Sequence, residues 1–245
     1  MIIFRVILLF FILISPLKAN TIYNLIKIPN LEIYEINTEN KLKYFYAASS
    51  FRLGVQKNII CLSSNKKNYD EKYQVIERNL KKYSHSFLKK INLKYIVMCE
   101  NLSISGINTA GIPDNVMKTL ILDIEFNKKY FERVIHHEIF HIINDQYREL
   151  FNENNWKEIN TPNFVYAECS TCTEKLGLNT YTKKNGFFTE YSKSTVSEDM
   201  AEVYSHLIFL DPEEIKQIRN SDKILKKKIS YIEKKIKLID NSFSF

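Results

Sequence analysis

The feature that most constrains this 245-residue chain is the pentapeptide His-Glu-Ile-Phe-His at residues 137–141, within a segment of helical spacing. Side chains four positions apart lie one above the other on a helix face, so His137 and His141 can contact the same atom. Two imidazoles held in this way form half of a tetrahedral zinc site, and Glu138 would face the open position where a water molecule binds. Three of the five histidines of the chain fall within six residues here. The alternative interpretation is a helix with incidental polar residues.

A catalytic zinc site has three protein ligands, so a third must come from elsewhere. Asn144 and Tyr147 occupy the positions at which the metzincin class has a glycine and a third histidine. A second predicted helix offers Glu198 and Glu202, which are four positions apart and share a face. One of them can bind metal while the other accepts a hydrogen bond from a ligand imidazole. Asp199 is rotated about 100° from its neighbour and cannot face the same atom. Without the histidine motif, the alternative interpretation of the Glu198–Glu202 segment would be favoured: an ordinary acidic first turn and a surface glutamate.

Two further histidines are predicted to have lesser roles. His206 lies four residues after Glu202 and could be taken for a ligand, but we predict that it is not one. His136 points about 100° away from His137 on the helix, so we expect it either behind the metal ligands or at the surface.

Hydrophobic spacing predicts an α+β fold whose elements alternate before the His-rich helix and are mostly helical after it. Ser197 is the expected cap of the second helix. A last helical region from Asp211 carries five aliphatic side chains on one face and lysines on the other, which favours packing on the domain over membrane binding. The other predicted elements are strands within residues 20–62, a helix over Asn68–Lys90, strands over Leu93–Leu102 and Thr119–Phe126 separated by a loop at Gly106–Asn115, and the second helix over Thr195–Leu210.

The N-terminus has the anatomy of a secretory signal peptide over residues 1–19. A short start containing Arg5 precedes an apolar run, and a break follows that ends in the small residue Ala19. We therefore expect export, with a secreted or cell-envelope location and cleavage after Ala19; an uncleaved anchor is the alternative. Removing residues 1–19 takes away Arg5 and Lys18 and no acid, so the net charge falls from +7 to +5. No Arg-rich or aromatic-interleaved basic motif is present, so we expect no nucleic-acid partner.

Four cysteines in an exported chain predict disulfides. We expect Cys169 to pair with Cys172, and Cys61 to pair with Cys99 across the helix between them. The C-x-x-C segment could also form half of a zinc knuckle or a redox pair, but a second C-x-x-C is missing.

The motifs together resemble the gluzincin metallopeptidases. In that family the H-E-x-x-H motif is followed by a tyrosine, a ligand glutamate and a supporting acid, and Tyr191, Glu198 and Glu202 keep the spacing of lethal factor and of the clostridial proline-proline endopeptidase. Trp156–Asn160 and Gly186–Phe187 are also similar to zinc-binding metallopeptidases of bacterial cell-surface proteins. The resemblance covers roughly residues 136–206.

The resemblance implies a zincin-like fold in residues 20–245: a twisted mixed sheet with a backing helix and the active-site helix beneath it. The order of the predicted elements agrees with the upper lobe of such a fold, placed at about residues 20–147, with a lower lobe at about residues 148–245. His137, His141 and Glu198 would hold Zn²⁺. Glu138 would take a proton from the water, and Tyr191 would donate to the oxyanion.

The predicted function is that of an exported, monomeric zinc endopeptidase acting on proteins or peptides, with no membrane contact beyond the export signal. A non-catalytic binding or surface protein that keeps the zincin shape is one rival, although an intact Glu138 argues against it. The other rival is a toxin-like factor whose Lys-rich C-terminal helix contacts a host partner or a membrane.

Overall fold

The computed structural model describes residues 30–245, so the predicted signal peptide at residues 1–19 and the first predicted strand lie outside the described residues. Two short 3-10 turns, at Val55–Lys57 and Tyr191–Lys193, accompany the main elements. These are β1 (Leu31–Glu35), β2 (Lys43–Ala47), β3 (Phe51–Leu53), β4 (Ile59–Leu62), α1 (Lys66–Leu80), α2 (His85–Lys90), β5 (Tyr95–Ile104), β6 (Ile107–Asn108), β7 (Gly111–Asp114), β8 (Thr119–Asp123), α3 (Lys128–Gln146), α4 (Glu153–Lys157), α5 (Val196–Phe209), α6 (Pro212–Ser221) and α7 (Lys223–Ile239).

The sheet is mixed and is built around β5, its longest strand. The first half of β5 lies between β2 and β8, and both pairings are parallel. Its second half pairs antiparallel with β4 and β6, so the sheet curls back at that end. Strands β1 and β7 pair antiparallel with β2 and β8, and among the described strands β7 has β8 as its partner.

Alternation along β5 divides the interior into two cores. Ile96 and Met98 face the larger core, which the helices cover. Val97 and Cys99 point to the other face, where the curled end of the sheet covers a smaller core. This is the period of two that a strand buried on both faces requires. The predicted α+β class, with a mixed sheet, a backing helix α1 and the His-bearing helix α3, is confirmed.

Both predicted cysteine pairings are present. The disulfide between Cys61 and Cys99 joins β4 to β5 inside the smaller core, where both residues are completely buried. The disulfide between Cys169 and Cys172 closes an exposed loop after α4.

Two predicted boundaries were wrong for identifiable reasons. The single helix over Asn68–Lys90 is divided in two, because Ser84 accepts a hydrogen bond from the Phe87 N–H and so caps a new helix, α2. The predicted loop at Gly106–Asn115 contains β6 and β7. Ser105 and Gly106 both have positive φ, at 51° and 83°, and form the tight two-residue turn of a β-hairpin.

The C-terminal region packs on the domain as predicted. Asp222 ends α6 and caps α7, with its side chain accepting from the N–H groups of Ile224 and Leu225. The aliphatic face of α7 is buried, whereas most of its lysines are exposed. In residues 30–245, none of the helices combines the length and apolar character that a membrane span needs.

Candidate metal centre

Three side-chain atoms from α3 and α5 form a small triangle. Nε2 of His137 lies 2.8 Å from Oε2 of Glu198, Nε2 of His141 lies 3.2 Å from the same oxygen, and the two nitrogens are 3.1 Å apart. Ligands placed about 2.0–2.1 Å from a tetrahedral zinc ion would be separated by about 3.3 Å. The three atoms can therefore hold a metal ion, and their donor types, two imidazoles and a carboxylate, suit zinc.

Packing of α3 against α5 produces the triangle. On α3 the two histidines are one turn apart, and on α5 Glu198 lies in the first turn. That helix begins at Thr195, whose side chain accepts from the Glu198 N–H, so the predicted cap at Ser197 was wrong. The Ser197 hydroxyl lies instead 3.3 Å from Nδ1 of His141.

Glu202 lies one turn deeper than Glu198 and supports the first histidine. Its Oε1 is 2.9 Å from Nδ1 of His137, and its Oε2 accepts from the Thr189 hydroxyl at 2.8 Å. A proton on Nδ1 leaves Nε2 with a lone pair directed at the triangle. Burial raises the pKa of Glu202, but the hydrogen bond to His137 and the charge of Arg133 outweigh it and lower that pKa to about 2.

The carboxylates also act on His137 itself. Burial lowers the pKa of this imidazole, but its hydrogen bonds with Glu198 and Glu202 prevail and raise the pKa to about 10. The same imidazoles hold the pKa of Glu198 well below its usual range, although burial opposes them. The site is therefore a buried concentration of negative charge that favours a bound cation.

Glu138 lies beside the triangle under the edge strand β7. Burial raises the pKa of its carboxyl, and the charges of His137 and His141 partly oppose the rise. Gly111 on β7 makes room for it, because a Cβ at residue 111 would lie 2.7 Å from Cγ of Glu138 and 3.2 Å from the Ile121 carbonyl oxygen. Any side chain at residue 111 would displace the carboxyl group or the strand.

Tyr191 reaches the site from the 3-10 turn before α5. Its ring centroid lies 5.9 Å from that of His137. Burial and the nearby carboxylates of Glu198 and Glu138 raise the pKa of the phenol above its usual value. The hydroxyl therefore keeps its proton and can act as a hydrogen-bond donor in the cleft.

The site opens into a cleft of about 910 Å³ that runs between β6, β7 and the loop after α4. The cleft is lined by Tyr191 and by Ser170 and Thr171, which the local disulfide encloses. A smaller recess of about 250 Å³ begins beyond His141, and its lining includes Asn144, Asp145 and Arg148. The apolar side chains that line the larger cleft include Ile104, Ile107, Phe126, Val134, Leu176 and Leu178.

The two remaining buried histidines lie away from the triangle. His136 was expected behind the metal ligands or at the surface, but it is completely buried in the core on the far side of α3, between Tyr83 and Asn79. The predicted helical offset of His136 from His137 was right, but its predicted surroundings were wrong, because α1 and the turn that follows it cover that face. His206 is also buried, and it bonds to Arg133 and to the Glu202 carbonyl.

Asp199 faces away from the triangle of His137, His141 and Glu198, as the helical offset predicted. Its Oδ2 accepts hydrogen bonds from Trp156, Tyr166 and Lys228 at 2.8, 2.6 and 2.6 Å. The carboxylate thereby joins α4, the following loop and α7 to the helix that carries Glu198. Replacing one member of such a buried pair leaves an uncompensated charge.

Sequence reasoning missed two residues that contact this site. Arg133 is four residues before His137 and therefore on the same helix face, a signal that was available. Gly111 gave no signal, because its importance depends on the approach of β7 to α3.

The sequence model of the family described as "Putative zinc-binding metallo-peptidase" matches residues 71–244, a span that contains every residue of the triangle together with Glu138 and Tyr191. The chain belongs to this family. No curated protein matches this chain. Among solved structures, a "putative zinc-binding metallo-peptidase from Bacteroides caccae ATCC 43185" is 18% identical to it, with a TM-score of 0.47, over 72% of this chain and 71% of that chain.

Proposed function

We propose that this chain is an exported zinc endopeptidase of the gluzincin type, which hydrolyses peptide bonds with Glu138 as general base. The observation that carries the proposal is the triangle of His137, His141 and Glu198 beside a buried Glu138 in an open cleft. The family assignment agrees with a zinc-dependent peptidase. The signal-like N-terminus and the two disulfides support export.

Zinc held by the three residues would supply Lewis-acid activation of water and of the scissile carbonyl. Glu138 takes a proton from the attacking water and later delivers it to the leaving amine. Its buried position raises its pKa towards the working range of such a base. Tyr191 donates a hydrogen bond from its phenolic hydroxyl to the carbonyl oxygen as negative charge develops there. Glu202 keeps the proton of His137 on Nδ1, which fixes the orientation of that imidazole.

The cleft also supports a peptide substrate with an apolar side chain beside the scissile bond. Val134 lies one turn before Glu138 on α3 and lines the cleft together with Leu178. Leu176 and Ile107, which are 54% and 53% exposed, extend this apolar lining to the mouth. Apolar side chains of a substrate would cover these surfaces and remove them from water.

Metal analysis of the purified protein followed by cleavage profiling on a peptide library tests the proposal. We expect one zinc ion per chain and cleavage next to apolar residues. Glu138→Ala should retain zinc and lose about 10²–10⁴-fold in turnover, because the proton carrier is removed and no ligand is changed. Glu149→Ala, at an exposed glutamate just after the same helix, is the matched control. Unchanged peptidase activity in the Glu138 variant would refute the mechanism, and absence of bound zinc would refute the proposed class.

A further inference from the structure

Arg133 is a buried arginine on α3, and its guanidinium contacts four groups from two other segments, α5 and the loop around Leu178. It lies 3.5 Å from Oε2 of Glu202 and 2.8 Å from Nε2 of His206. It also donates to the Thr180 hydroxyl at 3.3 Å and to the Leu178 carbonyl at 2.7 Å. Only 4% of its side chain is exposed. A guanidinium used in this way has a fixed fork of donors that a lysine cannot reproduce.

The partners of His206 define what Arg133 does there. Nδ1 of His206 lies 2.7 Å from the Glu202 carbonyl oxygen, so it carries the proton and donates. Nε2 then has a lone pair and accepts from Arg133 and from Thr180. A neutral, fully buried imidazole with both nitrogens satisfied acts as an anchor for the guanidinium. This gives His206 a role that does not involve metal.

The Glu202 carboxylate needs a cationic partner. It is completely buried, and its other contacts are His137 and the Thr189 hydroxyl. The imidazole of a histidine that binds metal through Nε2 is itself neutral. Its Nδ1–H can donate a hydrogen bond to Glu202, but the imidazole brings no positive charge of its own. Among the described residues, the basic side chain within 4 Å of this carboxylate is that of Arg133. An isolated buried carboxylate would be strongly destabilising.

The same arginine also fixes the cleft wall. Leu178 lines the cleft, and its carbonyl accepts from the guanidinium. The segment around Leu178 belongs to no helix or strand, so its backbone gains a defined position from this bond and from the neighbouring Thr180 contact.

We propose that Arg133 is a positioning residue of the metal centre: it holds Glu202, and through it the imidazole of His137, while anchoring the cleft wall at Leu178. The inference rests on the proposed function and deepens it. The contacts of the Arg133 guanidinium are with Glu202, His206 and the loop at Leu178 and Thr180, and not with the three atoms of the triangle. It acts through Glu202.

Titration of the metal-free proteins with zinc gives their zinc dissociation constants and tests the inference without any assay of activity. Arg133→Met and Arg133→Lys should each weaken zinc binding by about 10-fold, within the roughly 10–100-fold known for groups that orient a ligand. The matched control is Arg78→Met. Arg78 is an exposed arginine of α1 that pairs with Glu132 of α3, so this variant should leave the zinc dissociation constant unchanged. If charge alone mattered, loss of a cation in the methionine variant would tighten zinc binding, and the lysine variant would bind like the wild type. Either result would overturn the inference.

A double-mutant cycle with Glu202→Gln separates positioning from a general loss of stability. In the Glu202→Gln protein, Arg133→Met should have no further effect on zinc affinity, because the carboxylate through which Arg133 acts is already gone. The double variant also removes both buried charges together, so it should fold even if Arg133→Met alone does not. Additive losses would refute the role. A wild-type protein that binds no zinc would refute the proposed function as well, whereas zinc binding with additive losses would refute this inference alone.

Discussion

His136 and His137 are adjacent in sequence and both buried, but they lie on different faces of α3 and their surroundings differ in kind. Nδ1 of His136 accepts from the Tyr83 hydroxyl at 2.7 Å, and its Nε2 donates to the Asn79 amide oxygen at 3.1 Å. His137 has carboxylates at both nitrogens, from Glu202 and Glu198. Burial and the charge of Lys82 lower the pKa of His136 to about 3, whereas the carboxylates raise that of His137 to about 10.

Position on the helix therefore selects the candidate residue, and the groups that contact that residue decide its chemistry. A rotation of about 100° turns the His136 imidazole towards α1 and the turn that follows it, and the His137 imidazole towards α5. Burial keeps His136 neutral, and its two hydrogen bonds leave it no free lone pair, so it stabilises the fold. Acidic partners give His137 a cation-binding environment. The following predictions test this contrast.

The largest contrast is in zinc content. His137→Ala should lose the metal and all peptidase activity, because it removes a ligand. His136→Gln should retain one zinc ion per chain, since its amide can replace the two neutral hydrogen bonds. Elemental analysis after dialysis measures both. Zinc loss in the His136 variant, with an intact circular dichroism spectrum, would contradict the division between the two sides.

The next contrast lies within the acidic partners of His137. Glu198→Gln should cut zinc affinity severely, whereas Glu202→Gln should cost roughly 10–100-fold, as expected of a group that orients a ligand. Chelator competition measures both constants. If Glu202→Gln releases zinc and Glu198→Gln does not, the two roles are inverted.

On the same side of α3, Tyr191→Phe removes one hydroxyl from the cleft. We expect kcat to fall by about 10²–10³, the range for one oxyanion donor, with zinc content unchanged. Tyr130→Phe, at a half-buried tyrosine of α3 whose hydroxyl donates to Asn179, is the control. An unaltered kcat would make Tyr191 a packing residue.

The smallest effect concerns His136 and pH. Its pKa is about 3 in the folded protein and about 6.5 in the unfolded chain, so between these values only the unfolded chain takes up the proton. Stability therefore falls as the pH decreases through this window, by up to about 1.4 kcal/mol per pH unit for this group. Urea unfolding of the metal-free protein at pH 5–7 should show a shallower dependence for His136→Gln. Equal slopes in the two proteins would show that His136 is not held neutral.

Some expectations remain predictions after the structure is described. They are the division into lobes near residue 147, the monomeric state, and the signal peptide at residues 1–19. The catalytic roles of Glu138 and Tyr191 also stay predictions, as do the metal-ligand roles of His137, His141 and Glu198 and the supporting role of Glu202.

By itself, the sequence determined the candidates and the class of fold. Helical spacing aligned His137 with His141 and Glu198 with Glu202, because that pattern follows from local backbone geometry. A short continuous apolar run marked the buried strand β5. Tertiary structure alone decided what surrounds each residue. The neutral setting of His136, the room that Gly111 leaves for Glu138 and the four contacts of Arg133 all depend on segments distant in sequence. Local spacing carries no information about which distant groups will meet a side chain once the helices and the sheet have packed.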